Sequence, residues 1–137
     1  MRRHRFGMLV LAALLAAMVL PALVAAELPP GSYGKLKAEA QEKLKIKIVG
    51  VEQEGTGGKL KVTFTAQVLA VEHSASGLKA GDQITIHSYR WTKSYAGPKN
   101  PPLLPKGWVG MAYLNQAQGA GKDYKLAAYG DSFEAGR

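Results

Sequence analysis

The stretch Ser76–Trp91, SGLKAGDQITIHSYRW, decides the fold. Gly77 to Asp82 forms a glycine-punctuated turn, the composition that lets a chain reverse with positive φ. Beyond it the side chains alternate. Ile84 and Ile86 point one way, and Thr85, His87, Tyr89 and Trp91 point the other, as successive residues of a strand do. This predicts a half-buried strand over Asp82–Trp91, with its two isoleucines in a core.

Upstream lies a longer strand of the same kind. Leu60, Val62, Phe64, Ala66, Val68 and Ala70 share one face, opposite Lys59, Lys61, Thr63, Thr65 and Gln67, the pattern of an antiparallel strand with a wet outer side. The glycines of Glu54–Gly58 turn the chain into it. Before that turn, Ile46 and Ile48 alternate with lysines, and the apolar positions then slip to Val49 and Val51 around Gly50. A one-residue slip at a glycine predicts a β-bulge and a bent strand. Lys35–Leu44 is built of good helix formers, with Leu36, Ala40 and Leu44 four apart, which predicts a short helix.

Downstream, the prolines of Lys93–Lys106 mark a semi-rigid loop. Trp108–Asn115 and Asp123–Tyr129 read as two more strands around a turn at Gly119–Gly121, and the polar tail 131–137 is expected to fray. Five short strands, one strongly bent, predict a mainly β fold. It is a small five-stranded antiparallel OB-like barrel over residues 35–130 with one short N-terminal helix. A two-sheet sandwich needs about seven strands.

The first 26 residues stand apart. Arg2, Arg3 and Arg5 precede an apolar run from Met8 to Leu20, and Val24-Ala25-Ala26 supplies small residues at a cleavage point. This is the pattern of a signal peptide cut after Ala26, and it predicts a periplasmic or secreted protein that meets a membrane only through that transient segment. Residues 27–34, with two prolines, read as a flexible leader. Loss of three arginines lowers the formal net charge of +8 by three. The remaining excess comes mostly from lysine, which suits solubility or an anionic partner, and nucleic acid is not an expected partner of an exported chain. The sequence has no cysteine, so disulfides, thiolate metal sites and thiol nucleophiles are excluded.

Val68-Leu-Ala-Val71 followed by Ser76-Gly-Leu-Lys-Ala-Gly-Asp-Gln-Ile-Thr-Ile86 resembles the central part of secreted OB-like barrels of the netrin-module and metalloproteinase-inhibitor type. Gly97-Pro98, Pro101-Pro102 and Gly107-Trp108 fall where that family carries a Gly/Pro-rich loop. The resemblance implies a secreted barrel over roughly Ile46–Tyr129. It does not carry over the inhibitory mechanism, which relies on an N-terminal cysteine.

No catalytic site is expected. Ser74 and Ser76 lie beside His73 without a nucleophile elbow or an ordering acid, and Gly55-Thr-Gly-Gly58 joins two strands where a phosphate loop would lead into a helix. His73 and His87 are the only histidines after residue 26, and Glu72 would point away from His73, so neither a metal nor another cofactor is expected. The suggestive feature is the row His87, Tyr89 and Trp91, which Arg90, Tyr95 and Trp108 could complete as a cleft. Aromatic rows on such barrels are stacking platforms. The same row could instead pack beneath the helix or the proline loop as a second small core. The reading is of a non-enzymatic, exported accessory protein that recognises an envelope protein through this row and the Pro98–Trp108 loop. The alternative is a periplasmic carrier of a small molecule or metal.

Overall fold

The computed structural model describes residues 28–118 and 121–136; the segment read as a signal peptide and part of the Gly119–Gly121 turn lie outside them. The described residues form one short α-helix, α1 (Ser32–Ala38), and six strands: β1 (Glu42–Glu54), β2 (Lys59–Ser74), β3 (Gln83–Trp91), β4 (Val109–Gln116), β5 (Asp123–Leu126) and β6 (Phe133–Ala135). The sheet runs β1-β2-β3-β5-β4, and β4 pairs back onto β1, so five strands close into a barrel with β6 added alongside β4.

One pairing departs from the antiparallel expectation. β3 and β5 run parallel, with Ile86 opposite Tyr124, while β1–β2, β2–β3, β4–β5 and β1–β4 are antiparallel. The reason is arithmetic. A closed ring with an odd number of strands cannot alternate direction all the way round, so one neighbouring pair must run the same way. The bulge at Gly50 is present as a register shift between Ile48 and Gly50.

The inward faces of β2 and β3 follow the alternation as far as Val68, while Ala70, expected on the same face, is exposed. Leu44, Ile46, Ile48, Val62, Phe64, Ala66, Val68, Ile84, Ile86, Ala112 and Leu114 are buried, each large side chain contributing about 1.5–3 kcal/mol on removal from water. That gain explains the first correction. The helix expected over Lys35–Leu44 occupies Ser32–Ala38, beginning inside the supposedly flexible leader, and residues 42–44 belong to β1. An isolated seven-residue helix has little stability of its own, whereas Leu44 in the strand is completely enclosed.

The second correction concerns the tail. β6 pairs with β4, Phe133 opposite Ala112, and the Phe133 ring packs edge-on against both Phe64 and Trp108 at 5.9 Å. The fifth strand is also shorter than expected, ending at Leu126 before a 3₁₀ turn at Tyr129–Asp131.

The opening turn closes one end of the barrel. Leu78 is buried, and its N–H donates to Ser74 Oγ at 2.8 Å. Asp82 accepts the Lys79 N–H at 2.9 Å. That bond, with the charge of Lys122, holds the Asp82 carboxyl below its usual range. Gly81 adopts φ 97°, a region costly for any residue with a Cβ. Beneath this turn sits Glu42, fully buried. Its carboxylate accepts from Ser74 Oγ at 2.5 Å, from Ala75 N–H at 2.9 Å and from the Ser76 hydroxyl, which also bonds Tyr124 OH at 2.7 Å.

The proline loop closes the other end. Beyond His87, no described strand pairs with β3 on the side away from β2. Asn100 takes that place with its side chain: Oδ1 accepts the Trp91 N–H and Nδ2 donates to the Trp91 carbonyl, each at 2.9 Å. Lys99 O accepts the Gly130 N–H at 2.9 Å, and Leu104 is buried in the core.

Candidate functional site

Of the six side chains proposed from the sequence, four gather on the outer face of β3. Trp91 stacks on Tyr95, ring centroids 5.0 Å apart and planes at 30°. The Tyr95 hydroxyl donates to the Pro98 carbonyl, which fixes the ring to the loop. Tyr89 follows along the strand, and His87 sits at the far end, its Nε2 3.2 Å from Asp123 Oδ1 in an exposed pair of the kind worth little energetically.

The other two lie elsewhere. Arg90 has the parity of the inward residues Ile86 and Ser88, and its Nη1 donates to the Pro101 carbonyl at 2.7 Å; it holds the loop in place. Trp108 packs against the core beside Phe133. Gly110 leaves the room for it: a Cβ there would run into the Trp108 ring and the Glu134 carbonyl oxygen. The loop is therefore largely an architectural plug, although Leu103 within it is exposed.

Several contributors were not foreseen. Lys59, opposite Trp91 in the β2–β3 register, places its ammonium 4.7 Å from the Tyr89 ring centroid and 5.0 Å from that of Trp91, a cation–π arrangement. Leu36 of α1 and Tyr129 after β5 wall a groove of about 400 Å³ that also meets His87, Tyr89 and Lys125. A second hollow of about 350 Å³, bounded by Lys59 and Lys61, lies on the other side of Tyr89. The alternation of Lys59 and Lys61 was visible in the sequence, but their place beside the rings depends on register. The position of α1 depends on long-range contacts that no local pattern encodes.

The helix wall is anchored by Lys37, which pairs with Glu134 and, at 3.3 Å, with Asp131. Its ammonium also lies 4.9 Å from the Tyr113 ring centroid. Burial pulls the Lys37 pKa down, but its bonds to the two carboxylates outweigh that, so the net shift is upward. Burial, followed by the neighbouring phenols of Tyr95, Tyr129 and Tyr33, raises the Tyr89 pKa. The rings thus stay neutral at physiological pH, as a stacking surface requires.

This geometry is a rigid aromatic platform with cations at its edge, half covered and half open. His73 is paired opposite Lys43 near the end of β2, well along the sheet from His87 on β3. Among the described residues no three His, Asp or Glu side chains converge to hold a metal ion. The fold and face define a small closed β-barrel with an aromatic outer face. Comparison of the chain with protein-family models, curated proteins and solved structures found no match.

Proposed function

We propose that the chain is an exported, non-enzymatic binding protein of the cell envelope. It recognises a protein partner through Tyr89, Trp91 and Tyr95, with Lys59 and His87 at the margins. The observation that carries this reading is the Trp91–Tyr95 stack, held by the proline loop and left partly open to solvent. Aromatic rings fixed before binding lose little entropy on docking and commonly anchor interfaces. Within this proposal the chain is kin to the netrin-type barrels. The order of bent strand, glycine turn, aromatic strand and proline loop supports that kinship. A small-molecule carrier is the second reading, favoured by the 400 Å³ groove, which is within the range that holds compact ligands.

The test is to immobilise the protein and capture partners from an envelope extract. A partner retained by the unaltered protein should be lost from the Tyr89→Ala/Trp91→Ala variant, with unfolding free energy lowered by less than about 1.5 kcal/mol because both rings lie outside the core. Retention of the same partner by that variant, or its collapse, would remove the reading. A thermal shift of several degrees with a single small ligand would favour the carrier.

A further inference from the structure

We infer that the barrel carries a second working surface on the side away from β3, where it docks on an anionic lipid surface. β1 is flanked by β2 and β4, so it lies across the ring from the aromatic face. Its inward residues Leu44, Ile46 and Ile48 are fully buried, which turns Lys43, Lys45 and Lys47 outward in a row about 7 Å from one to the next.

The neighbouring strands fix what stands beside that row. Lys47 pairs with Val109 and Lys45 with Met111 on β4, and on β2 the row Lys43, Lys45, Lys47 faces His73, Ala70 and Gln67, with Leu69 and Val71 at the intervening positions. Leu69, Val71 and Val109 are each 37% exposed. Three cations in line, with exposed aliphatic side chains interspersed along both flanking strands, form an amphipathic patch.

Among the described residues none of these three lysines is in an ion pair. Lys37, Lys99 and Lys122, in contrast, are all paired. Glu134, which shares a hollow with Lys45, is held by Lys37 and does not neutralise the row.

Charge complementarity selects the occupant. Lysines attract anionic headgroups at roughly 1 kcal/mol each near a charged bilayer, and aliphatic side chains beside them enter the headgroup boundary. An acidic protein would suit the charge but gives less reason for aliphatics on both flanks of the row. This surface is independent of the aromatic face and extends membrane contact beyond the signal peptide.

The experiment uses protein purified from cells expressing the whole chain and vesicles of equal parts phosphatidylglycerol and phosphatidylcholine, with pure phosphatidylcholine vesicles in parallel. We expect sedimentation with the anionic vesicles only. Partitioning should fall about 100-fold in the Lys43→Ala/Lys45→Ala/Lys47→Ala variant, the sum of three headgroup attractions. In the unaltered protein it should be strongly reduced at about 1 M salt, where the Debye length is near 3 Å. The variant shares the N-terminus of the parent, so the difference reports on β1 alone. Should it misfold by circular dichroism, Leu69→Ser/Val71→Ser and the salt titration decide in its place, each expected to reduce binding. Undiminished binding by these variants, equal binding to neutral vesicles, or no binding to either would overturn the assignment. Lysine-dependent binding to polyglutamate but not to vesicles would reassign the face to an acidic polypeptide.

Discussion

The two ends of the barrel are closed by opposite chemistry. At the end under the Gly77–Asp82 turn, the closure is polar. A buried carboxylate, Glu42, collects hydroxyl and backbone donors from Ser74, Ala75 and Ser76. At the other end it is mostly apolar, with Leu104, Trp108 and Phe133 filling the mouth and one amide side chain, Asn100, completing the edge of β3. The polar end works by satisfying donors that would otherwise be stranded. The apolar end works by volume. An end closed by hydrogen bonds should respond to loss of an acceptor, and an end closed by packing should respond to loss of size.

The largest effect is expected at the polar end. Glu42→Ala leaves several donors without an acceptor, at about 1–3 kcal/mol for each that stays buried, and should cost about 3–5 kcal/mol in denaturant unfolding. Glu42→Gln keeps the shape but presents two donors of its own to hydroxyls, and should fall between alanine and the parent. If Glu42→Ala and Glu42→Gln are equally mild, the clamp is replaceable by water and the contrast between the ends weakens.

Next is Leu104→Ala, which removes apolar volume without stranding a donor and should cost about 2–4 kcal/mol. Leu104→Met, nearly equal in volume, should recover most of it. The smallest effect belongs to Asn100→Ala. The Trp91 peptide groups lie near solvent, so water can replace part of the lost pairing, and the cost should be about 1 kcal/mol. Hydrogen exchange should speed selectively at Trp91 while Phe64 and Ile86 stay protected. A uniform loss of protection would mean that the seam belongs to the global core.

Much of this was legible in the alternation of β2 and β3. Val62, Phe64, Val68, Ile84 and Ile86 were assigned inward from period two alone, and all are buried. The slip at Gly50 announced its bulge. What stayed hidden was whatever depended on distant partners. Glu42 was read into a helix because its neighbours are good helix formers, and only burial of Leu44 beside it draws that segment into a strand. Phe133 sits among polar residues in a short tail, where no periodicity can build up, yet its ring completes the core. At the aromatic face the row on β3 was legible residue by residue. Its division was not: Trp108 and Arg90 look equivalent to Trp91 in composition, but one packs inward and the other binds the Pro101 carbonyl.

The closure of the ring also sets an order in time. β2 and β3 join their predecessors by short turns, but β1 finds its second neighbour only in β4, and Phe64 gains its edge-on ring only from β6. Pairings so distant along the chain carry a large loop-closure cost before they return any stabilisation. The first three strands can therefore collapse early as an open meander, and the ring shuts only once β4 and β5 are available, with Phe133 added to the core last. A nascent chain of this design stays unlocked until its β4 and β5 segments have been made.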